Sequence, residues 1–205
     1  MNFRYVESLD SPFKVEPLTL RGSKISLEPL ELAHVSELWN LAQDESIWQW
    51  IPSRLCSYED TNKYVTEALK KREIELEMPF VIRLQSTQEI VGSTRFMNIF
   101  KADRRVEIGS TWLTPAWQRS FVNTEAKLLL LSHAFEILRC IRVELKTDVF
   151  NEKSRRAIER IGAKPEGILR NHKICADGRI RDTIYYSLTY EEWPAAKARL
   201  QERLK

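Results

Sequence analysis

Thr111-Trp-Leu-Thr-Pro-Ala-Trp-Gln-Arg-Ser-Phe-Val-Asn-Thr-Glu-Ala-Lys127 decides how the rest of the chain is read. It begins as the end of a strand, turns at Thr114-Pro115, and continues as the start of a long apolar helix. A helix entered in this way leaves backbone N–H groups and the positive end of a dipole free, and a diphosphate fits there.

The helix runs from Thr124 to Leu138, with Asn123 able to cap it, and Ala126, Leu128–Leu131, Ala134, Phe135, Ile137 and Leu138 make it apolar nearly all round, as for a helix laid on a sheet. Arg142–Thr147 reads as a strand. Asn151 to Ile161 is a short helix, with Asn151 as N-cap and Gly162 as its stop. Ile168–Cys175 and Arg179–Leu188 form a hairpin about Asp177-Gly178. Glu191 to Lys205 closes the chain as a helix.

Upstream, Val106–Leu113 is the third strand of a meander. Phe80–Leu84 and Ile90–Ile99 precede it, and Gly92 reads as a bulge. Before these come a strand near Lys24–Glu28 and a helix carrying Leu32, Val35, Leu38, Trp39 and Ala42. An aromatic loop, Trp48-Gln-Trp-Ile-Pro52, leads to a second helix opened by Ser57-x-x-Asp60 and carrying Tyr64, Val65, Ala68 and Leu69. The order β-α-α-β-β-β-α-β-α-β-β with a C-terminal helix predicts one α/β (α+β) domain. Its central sheet is mixed, with helices on both faces. Residues 1–17, with Pro12 and Pro17, read as an extension to a domain spanning 18–205.

The composition narrows the function. At 205 residues, 43% apolar and 30% charged, the chain suits a globular domain with a sizeable core. The first residues lack the apolar centre of a signal peptide and no run reaches membrane-span length, so a cytoplasmic site without a membrane partner is the expectation. A net charge of +3 is too small to argue for nucleic acid. Cys56, Cys140 and Cys175 are odd in number and scattered, and read as buried or half-buried thiols. No spacing of His and Cys suggests a metal.

Several segments carry a resemblance together: Val106-Glu-Ile-Gly109, Trp112-x-x-Pro115, Asn123-Thr-Glu-Ala-Lys127, Asn151-x-x-Ser154, Ile161-Gly-Ala163, Glu166-Gly-x-Leu-Arg170 and Asp177-Gly-Arg179. Over about Leu20 to Trp193 the chain resembles the GNAT N-acetyltransferases, and within them the RimJ/RimL-like group. The resemblance implies transfer of an acetyl group from acetyl-CoA, without a metal, to a primary amine. That amine is the N-terminal α-amine of a protein or peptide, or belongs to a small molecule. It leaves room for a homodimer.

The resemblance also implies a site. The coenzyme loop would be Gln118, Arg119, Ser120, Phe121, Val122, Asn123 and Thr124, with Trp112 and Leu113 at the strand before it and Asn151 on the pantetheine arm. Glu107 is the candidate general base, or else a cross-strand partner for a basic residue such as Arg95 or Arg105. Ser154 would hold or protonate the sulfur, with Tyr185 or Tyr186 as a weaker alternative. Backbone N–H groups within Ser110–Leu113 would meet the oxyanion. Trp48, Trp50 and Arg95 would line the acceptor site, with Arg170–His172 beside it. One residue departs from the family: Phe121 stands at a glycine position, where a positive φ or a close ligand would exclude a phenyl ring. Phe121 therefore motivates a second reading, a silent GNAT-like binding or regulatory module with impaired coenzyme binding.

Overall fold

Strand alternation sorts the core into two halves. The computed structural model describes residues 13–205. In chain order the elements are β1 Leu20–Arg21, β2 Ile25–Pro29, α1 Val35–Leu41, α2 Tyr58–Glu73, β3 Met78–Leu84, β4 Ile90–Phe100, β5 Arg105–Leu113, α3 Phe121–Ser132, β6 Arg142–Asp148, α4 Glu152–Ile161, β7 Lys164–Ile174, β8 Ile180–Thr189 and α5 Trp193–Glu202. On β3, Ile82 packs with α3, α4 and α5. Its neighbour Val81 points the other way and packs with α1 and α2, because successive strand side chains face opposite sides of the sheet. Helices cover both faces, as expected.

The sheet has eight strands in the order β1-β2-β3-β4-β5-β6-β8-β7. All neighbours are antiparallel except β5 and β6, which pair in parallel only at Arg105↔Arg142, Val106↔Val143 and Glu107↔Glu144. Beyond Glu107 the two strands part. On its other edge β5 bulges from β4: Arg95 faces Gly109 and Ser93 faces Trp112, so Ser110 and Thr111 share one partner. Ser110 takes φ 48° to do so.

The element order agrees with the sequence reading, with three local differences. The bulged residue on β4 is Val91, since Gly92 faces Ile82 and Ile90 faces Arg83. Gly92 is needed for close approach, because a Cβ there would strike the Trp112 carbonyl oxygen. The helix α3 starts three residues ahead of Thr124, and the capping side chain is Ser120 rather than Asn123. Its last turn, His133–Ile137, widens into a π turn. The caps of α4 are as expected, with the Asn151 side chain accepting from the Ser154 amide and Gly162 at φ 110°. Most of the expected extension, residues 1–12, lies outside the described residues. Phe13 and Val15 at its end pack on the main core. Cys140 and Cys175 are buried, whereas Cys56 is exposed. Burial pushes the Cys140 thiol up to about 12, which makes it inert.

Candidate active site

The parting of β5 from β6 leaves a slot walled by residues 108–113 on one side and 145–148 on the other. The N-termini of α3 and α4 both stand near the strand ends that form it. At α3 the chain passes through Gln118 in extended backbone, Arg119 at φ 61° and Ser120 as N-cap. Ser120 Oγ accepts from the Val122 amide at 3.2 Å and donates to the Trp117 carbonyl at 2.7 Å. The other first-turn amides have no partner within the helix.

Phe121 is the first helical residue, and the positive φ of this loop falls on Arg119. The Phe121 ring packs edge-on against Trp117, 5.9 Å between centroids, and Lys24 Nζ lies 4.9 Å from its centre. The ring is accommodated without backbone strain. Lys24 itself sits on the β1–β2 turn, which Glu125 of α3 grips: Glu125 Oε1 accepts from the Ser23 hydroxyl at 2.9 Å and the Lys24 amide at 3.0 Å, and also from the Ser23 amide. The turn and the start of α3 are thus one unit, with a lysine at the positive end of the helix. Gln118 Nε2 donates to the Leu113 carbonyl at 3.2 Å, tying the loop to the end of β5.

Glu107 lies at the mouth of the slot and is 1% exposed. Its Oε2 accepts from Lys146 Nζ and from Asn98 Nδ2, each at 2.8 Å. Burial opposes the Lys146 charge, but Glu107 outweighs it and holds the ammonium above its ordinary pKa. Neither expected cross-strand partner, Arg95 or Arg105, makes this contact. Both donors fall on one oxygen of a buried carboxylate, so this side chain is already engaged on the protein's own groups.

Three residues expected at the ligand sites are spent on packing. Trp48 is 5% exposed, lies 5.5 Å from Trp112 and donates its indole N–H to the Ala42 carbonyl. Trp112 is 3% exposed, so only its backbone can meet a ligand. Arg95, also 5% exposed, donates to Glu77 at 2.8 Å and lies over the Tyr64 ring. Trp48 and Arg95 are therefore core side chains, removed from the acceptor rim because sheet and helix close over them.

Trp50 behaves differently. It is half-buried, with the Arg179 guanidinium 5.5 Å from its ring and its carbonyl accepting from Arg181. Arg179 also donates to Asp148 at 2.8 Å, and the Ala176 amide donates to the Pro52 carbonyl. The loop between α1 and α2 and the β7–β8 hairpin therefore meet. His172 joins them from a bulge in β7, where Leu169 faces Thr183 and Lys173 faces Arg181, and its ring meets Tyr185 edge-on at 5.8 Å. Burial, then the charges of Lys146, Lys173 and Arg181, hold His172 below its usual pKa. Of the tyrosine pair, Tyr186 faces the core and donates to Glu159. Tyr185 is half-buried beneath Lys146. Ser154 is half-buried in the first turn of α4.

Lys24, Tyr64, Glu125, Lys127 and Lys146 also stand about the site, and the sequence reading gives none of them a role there. Glu125 and Lys127 are detectable as charges inside an apolar helix. Burial alone pushes the Lys127 amine down to about 7, and it donates to Thr111 Oγ1 at 2.9 Å.

The open strand pair, the helix N-terminus that follows it and the bulge opposite define an acyl-coenzyme A type of site on an α/β scaffold. Residues 24–164 match the Acetyltransferase (GNAT) domain, and the chain belongs to that family, whose enzymes transfer acetyl groups from acetyl-CoA. Bacillus subtilis (strain 168) has a relative, the putative ribosomal N-acetyltransferase YdaF. It is 35% identical over 108 residues, 53% of this chain and 58% of its own length; the chain thus matches little more than half of that relative. A putative acetyltransferase from T. thermophilus superposes with a TM-score of 0.85 at 34% identity, covering 94% of this chain and all (100%) of its own. Mycobacterium smegmatis RimJ, solved in complex with CoA-disulfide, shares the fold with a TM-score of 0.76 at 23% identity, covering 87% of this chain and 88% of its own.

Proposed function

We propose that the chain transfers the acetyl group of acetyl-CoA to the primary amine of a protein or peptide N-terminus or of a small molecule. The observation that carries this reading is the slot between β5 and β6, opening beside the N-terminus of α3. When bound, acetyl-CoA supplies an activated acetyl thioester. The first-turn amides of α3 would hold its diphosphate, with Lys24 adding positive charge. Backbone N–H groups of Ser110–Leu113 would support the pantetheine arm and the developing oxyanion. Asn151 has its Oδ1 engaged by the Ser154 amide, so its amide nitrogen remains for the arm. The Ser154 hydroxyl would donate to the sulfur.

The silent alternative loses its motive, because Phe121 takes helical backbone and its ring turns to Trp117. The cations Lys146, Lys173, Arg179 and Arg181 about the acceptor side disfavour a polyamine. YdaF is described as a putative ribosomal N-acetyltransferase, which supports a ribosomal protein N-terminus as the first acceptor to try, and with it a cytoplasmic setting. No helix among the described residues is long and apolar enough to cross a membrane. A homodimer through β7, the outer strand with Ile168 and Ile174 exposed, belongs to the same reading.

Coenzyme A release is the test, measured with acetyl-CoA and a panel of short peptides with free N-termini. Release that depends on the peptide is the expected result. Failure of both acetyl-CoA and coenzyme A to bind by calorimetry at millimolar concentration would sink the reading.

A further inference from the structure

Tyr64 sits on α2 with its hydroxyl 3.3 Å from Ser110 Oγ. Ser110 is the residue at which β5 bulges away from β4, three positions past its last pairing with β6. The hydroxyl thus reaches the middle of the slot wall. The Arg95 guanidinium lies 4.3 Å from the centre of the Tyr64 ring. Trp112 Nε1 and Arg95 Nε and Nη2 are buried without a hydrogen-bond partner, and both side chains approach the same phenol oxygen.

Three side chains with N–H or O–H donors therefore converge on one oxygen. A neutral phenol can accept from them only weakly; a phenolate satisfies buried donors that otherwise go unmet. Burial works against the phenolate, but the Arg95 charge and the nearby donors of Ser110, Arg95 and Trp112 outweigh it, so Tyr64 ionises below its usual value. The other charged groups facing this cluster are already matched. Glu77, which balances Arg95, is shared with Lys71 of α2. Glu107 on β5 is taken up by Lys146 and Asn98.

We propose that Tyr64, rather than Glu107, is the base that takes the proton from the acceptor ammonium; this role rests on the acetyltransferase reading above. The phenolate oxygen gains one proton and the ammonium becomes a neutral amine. The amine nitrogen then bonds to the acetyl carbon as the carbon–sulfur bond breaks, and its second proton leaves on the coenzyme thiol. Tyr64 returns its own proton to solvent before the next turn. Lowering the phenol moves it toward an α-amine, whose pKa is near 8, and away from a lysine amine near 10.4.

The first test needs no acceptor. The chain has six tyrosines, and ultraviolet titration of tyrosinate should show one ionising ahead of the others. That early step should vanish in Tyr64→Phe. It should move to higher pH in Trp112→Phe, which removes one donor and keeps an aromatic ring in the core. Six tyrosines titrating together, or an early step that survives Tyr64→Phe, overturns the proposal. The second test uses a short peptide with a free N-terminal serine amine. Tyr64→Phe should lower kcat by about 100-fold with little change in acetyl-CoA affinity, and Trp112→Phe should shift the acidic limb of the pH profile upward. If Tyr64→Phe does not fold, the Trp112→Phe shift decides. Wild-type protein that fails to bind acetyl-CoA brings down the acetyltransferase reading and the base role with it. Protein that binds and acetylates, with an unaltered pH profile in both variants, overturns Tyr64 alone.

Discussion

Lys146 on β6 donates to Glu107 on β5 one register step from the place where those strands separate. The pair closes the head of the slot, and both side chains are largely shielded, at 13% and 1% exposure. Its energetics follow from that burial. Removing one partner of a buried pair leaves the other charge uncompensated, which costs more than the pair itself contributes.

Glu107→Gln should therefore destabilise the protein by about 3 kcal/mol, read from the urea midpoint. The acidic limb of the rate profile should stay where it is in the wild type. Adding Lys146→Met to Glu107→Gln should recover most of the stability, because the stranded ammonium is gone. A large loss of kcat in Glu107→Gln, with stability unchanged, would return the base role to the carboxylate.

Phe121→Gly tests the loop. The phenyl ring fills space against Trp117, so on the proposed coenzyme placement its removal should not improve affinity for coenzyme A. Lost packing and a glycine in the first helical turn should lower stability by about 1–2 kcal/mol. Calorimetry and thermal melting measure the two effects separately. A gain in affinity would mean that the ring obstructs the diphosphate.

Much of the fold is legible in the chain because its signals are local. Asp177-Gly178 makes a turn with Gly178 at φ 81°, and Asn151 and Gly162 cap α4 from within a few residues. The start of α3 is three residues earlier than the sequence indicates because Ser120 and Asn123 are both good caps, and it is Ser120, bonded to the Trp117 carbonyl, that accepts from the first turn. The site is less legible. Tyr64 and Ser110 are 46 residues apart and Glu107 and Lys146 are 39 apart. No periodicity links them until the sheet does. Trp48 and Arg95 mislead for the same reason: an aromatic or a cation looks alike in sequence whether it lines a rim or fills a core.

Glu125→Ala should loosen the β1–β2 turn. The carboxylate gathers three donors from Ser23 and Lys24, and its loss removes the charged acceptor that pins this exposed turn to α3. The expected cost is about 2 kcal/mol. Amide hydrogen exchange should rise over residues 21–25 and at the start of α3. Because Lys24 would lose its fixed position, coenzyme A should bind several-fold more weakly, with the deficit shrinking at high salt. Exchange confined to the turn, with affinity intact, would remove Lys24 from the coenzyme site.

Lys127 gives a pH signature. Burial depresses its folded pKa to about 7, from an ordinary value of 10.5. Between these values the unfolded chain holds a proton that the folded chain does not, so this residue makes stability rise with pH across that window. Below about 7 both states are protonated and the folded state bears the full cost of a buried ammonium. Lys127→Met should remove this contribution. The variant should be more stable than wild type at neutral pH, on the order of 2–4 kcal/mol, and the difference should fade as pH approaches 10. Denaturant midpoints for both proteins across that range measure it. A constant difference would mean that the Thr111 hydrogen bond, rather than the buried charge, sets the energetics of this side chain.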